Sequence, residues 1–126
     1  MRRHTAGEDY LEAILILNKK LGSVRSVDVA RQLNVSKPSV SHAVSLLKGC
    51  GHITVDEEFN LHLTEAGLSI AENVYEKHCF FRNILLSAGV DSETAENEAC
   101  LLEHAISNNS FKLLKSKYEK DQQISG

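Results

Sequence analysis

The chain has 126 residues, 42% hydrophobic and 25% charged, with a formal net charge of −3. That balance suits one ordinary domain or two small lobes sharing a core, and it excludes a disordered chain or a generically basic nucleic-acid coat. No apolar run is long enough to span a bilayer, no apolar stretch follows Met1-Arg2-Arg3-His4, and three cysteines form no disulfide framework, so a cytoplasmic protein with free thiols is expected.

Thr5-Ala6-Gly7-Glu8 has the capping-box pattern and opens a first helix. Leu11, Ile14, Leu15 and Leu21 form its apolar stripe, and Gly22 ends it. Asp9 and Glu12 stand at i, i+3 away from the stripe's centre, where two acids early in a helix simply complement its dipole. Ser26 is the expected cap of a short second helix with Val27, Ala30 and Leu33 inward. Asn34-Val35 is a tight turn, and Ser36 caps a third helix with Pro38 in its first turn. Val40, Ala43, Val44 and Leu47 are its buried face; Ser39, Ser41, His42 and Ser45 remain outside.

A short helix, a tight turn and a helix with a small polar outer face fit a helix-turn-helix, although generic helical hairpins share the pattern. No carboxylate occurs between Asp28 and Asp56, whereas Arg31, Lys37 and Lys48 do, which suits a phosphate backbone. Residues 1–63 carry eight Lys/Arg against seven Asp/Glu; residues 64–126 carry six against ten. His52–Val55 and Asn60–Leu63 read as short strands joined by Asp56-Glu57-Glu58-Phe59. The order helix, helix, helix, strand, strand is that of a winged helix. The acidic tip is expected to be repelled by phosphate and not to insert deeply.

Thr64-Glu65-Ala66-Gly67 opens a long fourth helix to about Ala88, with Leu68, Ala71, Tyr75, Phe81 and Leu85 on its apolar side. His78 shares that stripe, where a satisfied core histidine is the ordinary reading. Gly89-Val90 breaks the helix, and Asp91 or Ser92 caps a fifth. There Cys100, Glu103 and His104 stand at i, i+3 and i+4, so a thiol, a carboxylate and an imidazole project from one face. All three are donors for a divalent transition ion. Leu102 and Ile106 are expected to anchor the helix. Asn108 or Ser110 caps a sixth helix through Phe111, Leu113, Leu114 and Tyr118, and the polar tail 121–126 is expected to fray.

Several segments in this order resemble one family. Glu8-Asp9-Tyr10-Leu11-Glu12-Ala13-Ile14, Val35-Ser36-Lys37-Pro38-Ser39-Val40-Ser41, Leu63-Thr64-Glu65-Ala66-Gly67, Lys77-His78 with Gly89-Val90-Asp91, and Glu98–Ser107 are similar to the diphtheria toxin repressor and manganese transport regulator family. The resemblance implies a mainly α protein. Its N-terminal winged helix-turn-helix, 1–63, has three helices and a two-stranded wing; the all-helical domain 64–126 binds metal and dimerises. It implies a metal-dependent transcriptional regulator, a repressor of metal-homeostasis genes, binding double-stranded operator DNA as a homodimer. Carried over by position, the metal ligands are Asp9, Cys100, Glu103 and His104, with Glu12 and His78 at positions used by a second ion.

The pairing of Asp9 with Cys100 mixes manganese-type and iron-type positions, so Fe²⁺ and Mn²⁺ are both expected physiological ions, with Zn²⁺, Co²⁺ or Ni²⁺ binding in vitro. Glu96 and Arg82 stand where the iron-type ancillary site expects a histidine and a carboxylate. Ser36, Pro38, Ser39 and His42 are expected to face the groove, and Lys37, Ser41, Arg25, Lys48 and Arg2-Arg3 the phosphates. Three rival classes remain, one of them a protein-interaction winged helix with no DNA role. An oxidant sensor would use Cys100 or Cys50, though neither has a resolving cysteine close in sequence; a metallo-hydrolase would use Glu103-His104, though no H-E-x-x-H motif occurs.

Overall fold

The computed structural model describes residues 6–125. In chain order the elements are α1 (Ala6–Leu21), α2 (Ser26–Leu33), α3 (Lys37–Gly49), β1 (Ile53–Val55), β2 (Leu61–Leu63), α4 (Glu65–Ser87), α5 (Ser92–Glu103) and α6 (Asn108–Ser125). The described residues form two compact units, 6–75 and 76–125, with the boundary inside α4. It falls there, beyond the wing, because the first half of α4 packs on the winged helix: Ala71 is fully buried in that core, and Ile70 and Tyr75 lie against it.

In the first unit α1 supplies more of the core than any other element. Tyr10, Leu11, Ala13, Ile14, Leu15 and Leu17 are buried with Val29 of α2 and with Val40 and Leu47 of α3. The α2–α3 turn is possible because Asn34 takes a left-handed conformation, φ 55°, which asparagine tolerates better than most residues. Ser36 caps α3, its Oγ accepting the Ser39 N–H at 3.3 Å. The strands pair antiparallel in the register Ile53↔Leu63, Thr54↔His62 and Val55↔Leu61, which turns Ile53 and Leu61 inward. The Leu61 N–H also donates to the Val24 carbonyl at 2.7 Å and holds the wing to the α1–α2 loop.

The wing exit is fixed by Thr64. Its hydroxyl donates to the Gly51 carbonyl at 2.7 Å and accepts the Gly67 N–H at 3.1 Å, capping α4. Gly67 lies so close to the preceding loop that a Cβ there would sit 2.0 Å from the His52 carbonyl oxygen. Only glycine permits this approach.

In the second unit Phe80 of α4 packs edge-on against Phe111 and Tyr118 of α6, with ring centroids 5.3 and 5.5 Å apart. Lys77 is buried, and its ammonium donates to the Ile106 carbonyl at 3.1 Å, holding α4 to the turn after α5.

Several local expectations change. The cap of α2 is Arg25, whose N–H donates to Asp28 Oδ2 at 2.9 Å; Ser26 is already helical. Ala30 and Leu33 pack on the core as expected, but Val29 rather than Val27 completes that face, and Leu21 is exposed at the end of α1. α5 ends at Glu103 with His104 as its cap residue, and its buried face is Ala95, Ala99 and Glu103, so Leu102 stands outside the core. Ser107, not Asn108 or Ser110, caps α6, accepting the Ser110 N–H at 3.1 Å, and helix continues through the tail to Ser125. The Thr5 part of the capping box and Arg2-Arg3 lie outside the described residues.

Gly67→Ala forces the Cβ against backbone that cannot rotate away. It should lower stability by about 2 kcal/mol or more, within the range for overpacking, while a nearby exposed change such as Glu65→Ala costs under about 0.5 kcal/mol. Urea denaturation of the two variants checks this; equal midpoints would refute the close approach.

Candidate metal centre and nucleic-acid interface

α5 is capped by Asp91, whose carboxylate accepts the Thr94 N–H at 3.1 Å; that bond holds the Asp91 carboxyl below its ordinary range. The buried face of α5 runs Ala95, Ala99, Glu103, one residue every four. Two alanines let the helix sit close to its neighbours, and the column ends in a carboxylate that is 1% exposed. A carboxylate so buried needs compensating partners. One oxygen has one: Glu103 Oε1 lies 2.7 Å from His78 Nδ1. The other, Oε2, makes no hydrogen bond among the described residues. His104 Nε2 is 3.1 Å from it, an ion-pair distance without hydrogen-bond geometry.

Cys100 adds a thiol on the solvent side of this carboxylate. One donor atom from each of Cys100, Glu103 and His104 lies within 4.8 Å of the others, and one atom of His78 stands equally close to Glu103. The set fits a divalent transition ion. It offers a soft sulfur, an imidazole and a buried anionic oxygen with unused lone pairs, the donor types such ions accept.

Behind His78 the chain of contacts continues. His78 Nε2 lies 2.9 Å from Glu96 Oε2, and Arg82 donates to Glu96 Oε1 at 3.2 Å. Burial pushes the Glu96 carboxyl up, but the bonds and charges of His78 and Arg82 outweigh it and hold the group below its ordinary range. A neutral imidazole has one N–H, so only the protonated His78 ring can donate to Glu103 and Glu96 together. The two residues at the ancillary-site positions, Arg82 and Glu96, are therefore paired with each other.

Asp9 and Glu12 lie in the other unit, on α1. Glu12 is buried, contrary to its expected place off the apolar stripe, and Asp9 is half-buried. Burial of Tyr10, and then the Asp9 charge beside it, raises the Tyr10 phenol above its ordinary value.

On the DNA side Ser36, Lys37, Pro38, Ser39, Ser41, His42 and Lys48 are all exposed along α3 and its entry, with Arg25 exposed before α2. The Ser36 hydroxyl is partly committed, donating to Ser39 Oγ at 2.9 Å. Sequence reasoning missed Lys77 and the link from His78 to Glu96. The four-residue rhythm Ala95, Ala99, Glu103 was present in the sequence and could have exposed the buried carboxylate.

A winged helix with a polar outer α3, followed by helices that gather a thiol, a carboxylate and an imidazole, defines a metal-responsive DNA-binding regulator. Known proteins agree. Residues 4–58 match the N-terminal DNA binding domain of iron dependent repressors, and residues 64–122 match their metal binding and dimerisation domain. The chain belongs to this iron-dependent repressor family, whose members are transcriptional regulators and not enzymes.

It is 32% identical over 115 residues to an HTH-type transcriptional regulator of Methanocaldococcus jannaschii, covering 90% of this chain and 92% of that one. It is 33% identical over 114 residues to the transcriptional regulator MntR of Escherichia coli, covering 88% and 74%. Among solved structures it resembles IdeR of T. acidophilum, with a TM-score of 0.77, 28% identity and coverage of 94% of this chain and 56% of that one. The manganese regulator SloR gives a TM-score of 0.79, 26% identity and coverage of 94% and 55%. The chain thus spans about half the length of these two solved structures. Family membership favours neither the oxidant sensor nor the hydrolase. No helix among the described residues is long and apolar enough to cross a membrane.

Glu103→Gln keeps the size of the side chain and a carbonyl oxygen but removes the buried charge. Without metal it should melt at or above the wild-type temperature. With Mn²⁺ at about 100 times the wild-type Kd, the wild type should gain ~2.7 kcal/mol and Glu103→Gln almost nothing. Thermal melts with and without Mn²⁺ check both; an equal gain in the two proteins would remove Glu103 from the site.

Proposed function

We propose that the chain is a cytoplasmic repressor that binds operator DNA as a homodimer when loaded with Fe²⁺ or Mn²⁺. In this reading Cys100, Glu103 and His104 hold the ion with Asp9, and Glu12 and His78 serve a second, adjacent ion. The observation that supports it above others is the buried Glu103 carboxylate with one oxygen lacking a hydrogen bond, set among donors from Cys100 and His104. The functional division is taken at residues 63 and 64, with DNA binding before it and dimerisation after.

The bound ion supplies positive charge and directed coordination. Without it Asp9, Glu12 and Glu103 are carboxylates that repel one another when brought together, and a Cys100 thiolate adds to the repulsion. Neutralised, these groups fasten α1 to α5. That fastening limits the spacing of the two α3 helices in a dimer, so half-sites about one helical turn or a multiple apart can be met together. The DNA-competent state then binds metal more tightly, and DNA and metal strengthen each other by the same factor.

Ser36, Pro38, Ser39 and His42 face the groove; Lys37, Ser41, Arg25 and Lys48 meet phosphates. Exposure of all eight, and the lack of any acid between Asp28 and Asp56, support this assignment. The leucines Leu101 and Leu102 of α5 and Leu113 and Leu114 of α6 are exposed, and apolar side chains left in water on a dimerisation domain support a homodimer through these helices.

Asp9→Ala should fold normally yet lose metal-stimulated binding to a duplex selected from a random pool by the wild type. Anaerobic titration with Mn²⁺ and Fe²⁺, with metal counted per chain, gives the stoichiometry. Occupancy should fall as pH drops, since Cys100 must lose its proton and His104 must be neutral to coordinate. Undiminished stimulation in Asp9→Ala, with full metal content, would refute the proposed ligand set.

A further inference from the structure

The helical unit buries a cation that the proposed ligand set does not use. Lys77 of α4 is 6% exposed, and its ammonium donates to the Ile106 carbonyl at 3.1 Å. Taking an ammonium out of water is costly, and an apolar side chain of similar length, such as methionine, would fill the space without that cost. Packing alone therefore does not account for a lysine at this position. What the ammonium adds is a directed bond to one backbone oxygen.

That oxygen lies in the turn that carries His104. α5 ends at Glu103, and His104 is its cap residue, with φ −97° and ψ −6°. On the α5 side the turn is tied by the Ala105 N–H, which donates to the Leu102 carbonyl at 3.1 Å. On the α6 side Ser107 accepts the Ser110 N–H at its Oγ, 3.1 Å away, and the Phe111 N–H at its carbonyl, 2.9 Å away. These bonds run along the chain and do not join the turn to α4; the Lys77 bond does. The next residue of α4, His78, lies 2.7 Å from Glu103 Oε1. Consecutive residues of one helix thus hold the chain on both sides of His104, at 103 and at 106. Between them the His104 side chain is 2% exposed, with Nε2 3.1 Å from Glu103 Oε2. We propose that Lys77 is a positioning residue of the metal centre: by tying the Ile106 carbonyl to α4 it sets where the His104 imidazole meets the ion. The inference rests on the ligand set proposed above and adds to it a residue outside that set.

The test titrates the full chain anaerobically with Co²⁺ against a competing chelator, and melts each metal-free variant. Co²⁺ binds a given site more tightly than Mn²⁺, so affinity stays measurable after a ligand is lost. Lys77→Met should melt at or above the wild-type temperature without metal, because a buried charge is gone. It should nevertheless bind Co²⁺ about tenfold more weakly, the loss typical of removing a partner that orients a ligand. In a His104→Ala background the same substitution should change the affinity by less than about twofold, since Lys77 acts through His104. If Lys77→Met does not fold, Lys77→Gln, with a shorter reach, carries the same cycle, and a loss of about threefold that vanishes with His104→Ala is expected. Wild-type affinity in the folded Lys77 variant overturns the inference. So does an equal loss in the His104→Ala background, or a loss matched by a fall in the metal-free melting temperature. Wild-type affinity in His104→Ala, or a wild type that binds no Co²⁺, overturns the ligand set and this inference together.

Discussion

The buried carboxylate of Glu103 is the constraint around which the helical unit is built. Ala95 and Ala99 bring α5 in close, and that closeness takes Glu103 out of water. His78 satisfies one oxygen from α4, Glu96 engages the far side of His78, and Arg82 holds Glu96. This is a chain of polar contacts across two helices, each member placed by the one before it. It stops short at Oε2. His104 stands at ion-pair distance from Oε2 but supplies no hydrogen bond, and a buried polar group left without one costs about 1–3 kcal/mol. That cost falls where a thiol and a second imidazole converge, which supports the proposal that a cation binds there. The binding of one removes a penalty already present as well as adding coordination.

The same logic separates the two histidines of the unit. His78 has carboxylates at both ring nitrogens, which fix its ring between α4 and α5. His104 sits at the end of α5, where the chain leaves the helix, with its ring almost wholly buried beside Glu103. In the proposed site, a ligand at a helix terminus keeps its backbone free of the next turn, while the carboxylate and thiol before it remain on the rigid element. Precision comes from the helix and adaptability from its last residue, a division that suits a site which must fill and empty.

Legibility in the sequence followed the strength of local rules. The winged helix could be read because its signals are short-range: Ser36 with Pro38 starts α3, Asn34 makes the turn, and alternating residues mark the strands. The Leu63–Gly67 motif was recognised as a pattern, but its cause, Gly67 against the His52 carbonyl, is a contact between segments and invisible in the string. The trio on α5 was legible from spacing alone. The burial of Glu103 was not, because Leu102 and Ile106 read as the anchor of the helix; the alanines carried the packing instead. The expected anchor, Leu102, faces outward for the same reason. Phe59 was read as one more residue of an acidic turn, since nothing local announces that a phenylalanine will be left in water in a left-handed conformation.

The net charge of −3 bears on how such a regulator can be selective. A strongly basic protein holds any duplex through its phosphates and gains little from a switch, since the unswitched form already binds. Here the positive groups near α3 are few, and the second half of the sequence is acidic. Long-range attraction to DNA is therefore weak, and affinity must come from several short-range contacts made at once. Such contacts are lost together if the two recognition helices of a dimer are free to move apart, and gained together when they are fixed. On the proposed reading, a modest electrostatic background is what would let metal loading at Glu103 decide whether DNA is bound.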